Sequence, residues 1–351
     1  MAKQPLYRQT DLIAVEMWPI RDVRYQVTHA CDLHCPHCFA KADKPLPDEL
    51  TLEEAKSMVL DLKESGMRMI TLTGGEPLCR EEFTLDLASF LGEQRIRYRI
   101  FTNGLRMTEE IASRLKESDA YEIQVSFDGL RETHDAFRGT EGSFDKAIRA
   151  LEIARDAGLR TTVRVTVTRR NSEEILDLLD IVYPLGISAF RIRPFVPVGR
   201  GKEHKEFIPE KEDFENSFVR LAKVKERYPI QITFIVPHFI FVFDSSRKYH
   251  SEREFDGMPC VCGKTLAAIT PDGGVRPCGY FSSDLGNVRE MKFSEIWENN
   301  EFLQRMRNLE RLEDRCMECE FLSLCRGGCR ASAYENTGRL DATDPLCPLV
   351  E

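Results

Sequence analysis

The sequence has no run of about 18 apolar residues, so it offers no membrane-spanning helix. Its opening stretch, MAKQPLYRQTDLIAVEMWPIRD, has no long apolar core ahead of a small-residue cleavage site. It therefore does not read as a secretory signal, and a cytoplasmic location is expected. Positive charge is not in surplus: 49 Lys and Arg stand against 58 Asp and Glu, a net charge of −9. Broad binding to nucleic acid or to an anionic membrane needs a basic surface, so neither partner is expected. A local basic pocket for an acidic substrate stays open. The HExxH, GxSxG and P-loop patterns are missing, which leaves hydrolase and kinase chemistry without support. No cysteine occurs between Cys79 and Cys260.

At 351 residues the chain can bury a large core, as one big domain or two ordinary ones. Its 42% apolar and 30% charged content is that of a globular protein. It holds 12 cysteines, which in a reducing compartment read as metal ligands before disulfides. Cys31, Cys35, Cys38 and Cys79 come early, and the other eight lie beyond residue 259. That layout suggests an N-terminal extension over 1–22, a first domain over 23–235, a linker over 236–255 and a cysteine-rich domain over 256–351.

The first domain alternates β-branched runs with helical patterns. VRYQVT, RMITLTGG, RYRIFTNG, YEIQVSFDG, RTTVRVTVT and AFRIRP read as six strands. Thr51 to Glu54 is a capping box that opens a helix ending at Gly66. Repeated βα units predict an α/β fold with a parallel sheet wrapped by helices. Six units fall short of a closed eight-stranded barrel, so a partial (βα)6 TIM-like barrel is expected, with an open doubly wound sheet as the other choice. The cysteines, TGGEP, TNG, SFDG and RPFVPVGRG each follow a strand. The carboxyl ends of parallel strands build active sites, so these segments should meet at one mouth.

Cys31, Cys35 and Cys38 are spaced C-x3-C-x2-C. Three thiolates can hold three irons of a [4Fe–4S] cluster and leave the fourth open. Zinc is the competing reading, with His29 or His34 as a further ligand. The spacing and its place after the first strand resemble the radical S-adenosylmethionine (SAM) superfamily. The resemblance implies that the open iron chelates SAM and that one electron cleaves it. The resulting 5′-deoxyadenosyl radical takes hydrogen from a substrate. It also implies that His37 lies near the adenine, and that Gly74, Gly75, Glu76 and Pro77 meet the SAM amino group. There the two glycines would allow close backbone approach. Asn103, Ser126 and Asp128 match positions near the ribose and methionine. His134 and Arg138 could face substrate or order the loop after the fourth strand.

From Cys262 the pattern is C-x10-G-x4-C, through Gly273 to Cys278, followed by Cys316-x2-Cys319-x5-Cys325-x3-Cys329-x17-Cys347. This resembles the SPASM extension of radical SAM enzymes, which holds two auxiliary [4Fe–4S] clusters. With Cys260 as an eighth ligand, the resemblance implies one cluster on Cys260, Cys262, Cys278 and Cys329. The second would take Cys316, Cys319, Cys325 and Cys347. One of Cys260 and Cys262, only two residues apart, could also be a spectator that leaves a cluster with an open site, and Cys316 with Cys319 could be half a zinc ribbon. Cys79 reads as a buried small hydrophobe.

Anaerobic sulfatase maturases carry an acid just after the cysteine matching Cys278, where this chain has Gly279. The remaining motifs resemble both the pyrroloquinoline quinone and mycofactocin peptide maturases and the haem-biosynthesis branch. Peptide modification is the first expectation, with tetrapyrrole side-chain decarboxylation or remodelling as the alternative. An iron–sulfur electron carrier is the alternative of another class. With few residues ahead of the first strand, a peptide substrate would bring a separate leader-binding protein. The radical chemistry implies a flavodoxin- or ferredoxin-type electron donor. For a tetrapyrrole, Arg191, Arg193 and Arg200 could meet its carboxylates. Otherwise Arg191 and Arg193 pair with barrel acids.

Overall fold

The computed structural model describes residues 18–235, 260–347 and 349. Most of the extension placed over 1–22, and the linker placed over 236–255, lie outside the described residues. Six strands follow the expected order: β1 Asp22–Gln26, β2 Met69–Thr73, β3 Tyr98–Thr102, β4 Glu122–Phe127, β5 Thr161–Val167 and β6 Ala189–Pro194. Three more extend them, β7 Gln231–Phe234, β8 Leu266–Ile269 and β9 Val275–Arg276. All nine form one sheet in the order β7-β6-β5-β4-β3-β2-β1-β8-β9. Every pairing is parallel except that of β8 with β9. Among the described residues the two ends do not meet, so the sheet is a partial barrel with β7 and β9 as its edges.

Helices α1 Leu52–Glu64, α2 Glu81–Glu93, α3 Glu109–Glu117, α4 Arg131–Arg138, α5 Ser143–Asp156 and α6 Ile175–Val182 connect the strands. The capping box of α1 forms as its sequence requires. Thr51 Oγ1 accepts from the Glu54 N–H at 3.3 Å, and Glu54 Oε2 accepts from the Thr51 N–H at 2.8 Å. Gly66 follows at φ +94°, where a side chain would strain the helix exit.

Alternation along the strands decides which residues meet the helices. Val23, Tyr25, Ile70, Leu72, Ile123 and Val125 are fully buried. They share one core with Leu62, Leu91, Leu115, Leu151 and Leu179 of the helices. The intervening positions carry Arg24, Thr71, Arg99, Gln124, Arg164 and Arg191, and these face the barrel interior. The strands are thus apolar on their outer face and polar within. Of the described residues, no helix is long and apolar enough to cross a membrane.

The cysteine-rich part is bound to this frame. Strand β8 pairs with β1 from Asp22↔Leu266 to Tyr25↔Ile269. The Phe293 N–H donates to Asp61 of α1 at 2.6 Å, and Trp297 Nε1 donates to the Trp18 carbonyl at 2.7 Å. Removing the buried Leu72 side chain with Leu72→Ala is expected to cost about 2–5 kcal/mol, read from the urea midpoint.

Candidate active site

The first cysteine loop is fastened by backbone. The Gly75 N–H donates to the Thr28 carbonyl at 2.8 Å, and the Glu76 N–H donates to the Ala30 carbonyl at 2.7 Å. A Cβ on Gly75 would stand 2.1 Å from the Ala30 oxygen, and one on Gly74 2.4 Å from the Thr28 oxygen. These glycines therefore admit the chain's own cysteine loop, a reason different from the ligand approach expected of them. The two ring nitrogens of His29 each lie 3.0 Å from a loop carbonyl, Lys44 and Ala40, so His29 ties the loop across itself. His34 is exposed.

Arg200 is a second fastening. Its guanidinium donates to the Cys35 carbonyl at 2.7 Å and the Ala42 carbonyl at 2.8 Å, and its N–H donates to the Cys38 carbonyl at 2.9 Å. Gly199, at φ +59°, passes so close to Phe39 that a Cβ would meet its oxygen at 2.1 Å. Arg200 is thus occupied by the loop and is not available to a substrate carboxylate.

Cys31, Cys35 and Cys38 are half-buried on this loop. Burial pushes the Cys31 thiol well up and the Cys35 thiol up to about 11. Such thiols become thiolates only beside a strong positive charge, which iron supplies.

The other strand ends converge on the same place. Glu76 caps the short turn that begins at Pro77, accepting from the Leu78 N–H at 3.2 Å. Its carboxylate also accepts from Thr102 Oγ1 and the Asn103 N–H, both at 2.7 Å. Burial outweighs these donors and pushes the Glu76 carboxyl up to about 7. Asn103 Nδ2 donates to Asp32 at 2.7 Å, which joins the third strand end to the cysteine loop. Asp32 also pairs with Arg106 at 2.9 Å, and Arg106 reaches Cys79. Cys79 is half-buried at this polar corner and not in an apolar core.

Ser126 lies half-buried near the end of β4. Asp128, just beyond it, accepts from Arg138 Nε at 3.0 Å and Nη2 at 2.7 Å. Burial alone would raise this carboxyl, but the charge and hydrogen bonds of Arg138 hold it below its ordinary value. His37 stacks on Phe137 with ring centres 4.6 Å apart, and its Nε2 lies 3.7 Å from Asp128. Burial lowers His37 to about 4, so it is neutral at pH 7. His134 is fully buried, and its Nδ1 accepts from the Asp128 N–H at 3.2 Å. His134 and Arg138 therefore position Asp128 and the loop around it.

The later cysteines fall into two groups of neighbours. The Cys262 thiol lies beside those of Cys260 and Cys278, and Cys329 is near Cys260 and Cys278. Cys325 lies near Cys347 and Cys316, and Cys347 near Cys316 and Cys319. Asp344 stands between the groups, its carboxylate accepting from the Cys329 N–H at 2.5 Å and the Leu346 N–H at 3.0 Å. These all-sulfur donor sets, largely withdrawn from water, suit iron–sulfur clusters. Among the described residues, no three His, Cys, Asp or Glu side chains stand in single-ion geometry.

Inside the barrel the charges are unequal. Arg191 donates through both terminal nitrogens to the two carboxylate oxygens of Glu122, one at 2.9 Å, and Arg99 pairs with Asp22 at 2.6 Å. Arg24, Arg164 and Arg193 have no carboxylate partner among the described residues. Arg193 lies over the Tyr280 ring at 4.7 Å, and the Tyr280 ring meets Phe39 edge-on at 5.3 Å. Burial, then the charges of Arg24, Arg191 and Arg99, lower Arg164 to about 9. Sequence reasoning named Arg193 but missed Arg24, Arg164 and Tyr280. The signal lay in single arginines set between apolar neighbours in VRY and TVRVT, where strand alternation turns them inward.

The Radical SAM superfamily model matches residues 25–182, and the SPASM model, an iron–sulfur cluster-binding domain, matches residues 260–320. An AdoMet-dependent heme synthase of Methanosarcina barkeri is 32% identical over 93% of this chain and 96% of its own. A mycofactocin maturase of Mycolicibacterium smegmatis is 29% identical over 92% of this chain and 81% of its own. Among solved structures, native anSMEcpe with bound AdoMet superposes with a TM-score of 0.72 at 20% identity. The match covers 94% of this chain and 94% of that one, a likeness of fold.

Two outcomes follow from the geometry. Arg200→Met removes charged bonds worth about 1.5–3 kcal/mol each from the cysteine loop. Less iron should be retained per chain after anaerobic reconstitution, and Arg200→Lys should restore only part, since an ammonium cannot fork across two carbonyls. Burial, the largest cause, lowers His134 to about 3, against an ordinary value of 6.5. Between those values the unfolded chain binds the extra proton, so stability should fall as pH drops from about 6.5 towards 3. Urea midpoints across that range should show a shallower decline in His134→Gln.

Proposed function

The chain belongs to the radical SAM superfamily, and from that premise we propose that its substrate is a tetrapyrrole whose acidic side chains it decarboxylates or remodels. It is a radical SAM enzyme using S-adenosylmethionine and iron–sulfur clusters. When bound, reduced cluster and SAM supply a 5′-deoxyadenosyl radical that takes hydrogen from the substrate. Cys31, Cys35 and Cys38 would hold the SAM cluster, and Gly74 to Pro77 would present backbone to the SAM amino group. Asn103, Ser126 and Asp128 would line the ribose and methionine. His37, flat on Phe137, would set the adenine edge. The later groups, Cys260, Cys262, Cys278 and Cys329 and Cys316, Cys319, Cys325 and Cys347, would hold two auxiliary clusters.

The observation that carries the substrate class is the charge within the barrel. Six arginines (Arg24, Arg99, Arg138, Arg164, Arg191 and Arg193) face three acids there, Asp22, Glu122 and Asp128. Cations buried without partners are costly, and a substrate with several carboxylates would relieve the cost. A peptide brings no such charge unless its sequence is acidic. The heme synthase relative supports the tetrapyrrole, and the maturase relative supports a peptide. An electron donor of flavodoxin or ferredoxin type would reduce the clusters in a cytoplasmic setting. A separate leader-binding partner belongs to the peptide outcome.

The test is anaerobic incubation with SAM, dithionite and either a tetrapyrrole tetracarboxylic acid or a precursor-type peptide, with Cys35→Ala as the blank. Formation of 5′-deoxyadenosine coupled to loss of carboxyl mass from the tetrapyrrole is expected. Coupling to a mass change in the peptide alone would overturn the tetrapyrrole reading.

A further inference from the structure

We propose that Arg193 and Tyr280 form a carboxylate-binding subsite across the barrel mouth, with Arg24 and Arg164 behind it, and that it anchors an acidic side chain of the substrate. The proposal rests on the reading above that the substrate carries several carboxylates. It assigns a place and a donor set to one of them.

The argument begins with which cations are spent. Arg99 is committed to Asp22, Arg191 to Glu122, Arg138 to Asp128 and Arg200 to loop carbonyls. Arg24, Arg164 and Arg193 remain, neighbours in one field; Arg164 and Arg193 feel the charge of Asp128, but none of the three has a carboxylate within ion-pair distance among the described residues. Among the polar atoms in this region that are buried and have no hydrogen-bond partner are the donors Arg24 Nε, Arg193 Nε and the Tyr280 hydroxyl, together with His37 Nδ1 and Asp22 Oδ1. A protein rarely leaves such groups idle, since each has given up water for nothing. Yet Arg24, Arg164 and Arg193 are only half-buried by surface, so each keeps a face that a ligand can reach.

The place is also defined. Tyr280 lies two residues past Cys278, and Phe39 directly follows Cys38, so the Tyr280–Phe39 contact joins the two cysteine loops. The Phe39 ring fills the space beside Gly279, where a Cβ would meet it at 2.9 Å. An acid at position 279 would displace that ring, so the polar group available at this wall is the Tyr280 phenol. A guanidinium and a phenol each donate, and the guanidinium cannot accept, so the ligand is an anion. The planar fork of Arg193 suits a carboxylate in particular. Burial and the charges of Arg164 and Arg24 press Arg193 towards losing its proton, and a bound anion would reverse that pressure.

The experiment uses reconstituted holoenzyme under anaerobic conditions. Binding of coproporphyrin tetraacid and of its tetramethyl ester is titrated by Soret absorbance, and SAM binding is measured separately. Wild-type protein should bind the acid more tightly than the ester. Arg193→Met should weaken acid binding by about 10- to 100-fold, the size of a lost charge-assisted pair, and leave ester binding nearly unchanged. Tyr280→Phe, which keeps the ring, should weaken acid binding by about 3- to 10-fold. Arg193→Lys should recover part of the loss. If wild type does not prefer the acid, the substrate reading itself fails and takes the subsite with it. If wild type prefers the acid but the variants bind it equally well, the subsite alone is overturned. Loss of SAM binding in Arg193→Met would assign the anchored carboxylate to the methionine of SAM and would also overturn it.

Discussion

The barrel mouth depends on the approach of two backbones. Gly75 and Glu76 reach the carbonyls of Thr28 and Ala30 because nothing larger than hydrogen stands between them. The cysteine loop has no regular secondary structure to hold its shape, so its form comes from such donors. Arg200 supplies more from the far side of the barrel, after β6. The three thiols are thus placed by the ends of different strands, and the parallel sheet sets the spacing of those ends. Loop, sheet and site are consequences of one another.

The second constraint is electrostatic. A barrel of this width leaves room for polar residues on its inner face, and here that face is weighted towards arginine. Two of these arginines are neutralised at the lower rim, where Glu122 and Asp22 begin β4 and β1. Arg24, level with Arg99 through Thr71, and Arg164, paired in register with Arg191, have no such partner, and Arg193 lies one step nearer the mouth. Uncompensated positive charge therefore runs from the level of the paired arginines up to the mouth. An anionic molecule entering from the cysteine side would be drawn inward along it.

Local features were legible in the sequence. The capping box of α1, the strand order to β6 and the cysteine spacings all depend on residues close together in the chain. The unread features depend on partners far apart. Arg191 and Arg200 look alike in sequence, but one is bound to Glu122, 69 residues away, and the other to Cys35, 165 residues away. No local pattern distinguishes them. The glycines of GGEP were recognised, yet the surface they admit became visible only when Ala30 was found against them. Strand β8 was missed because four residues, LAAI, carry too little alternation to declare a strand.

That short strand has a consequence for the two cysteine fields. β8 lies between Cys262 and Cys278, and β1 leads directly into Cys31. Their register, Asp22↔Leu266 to Tyr25↔Ile269, is fixed by a ladder of backbone bonds one strand in from the β9 edge of the sheet. A hinge between the fields would have to break that ladder. Were clusters held at Cys31 and at the Cys262–Cys278 hairpin, electrons passing between them would cross a distance kept by that ladder and not by domain motion.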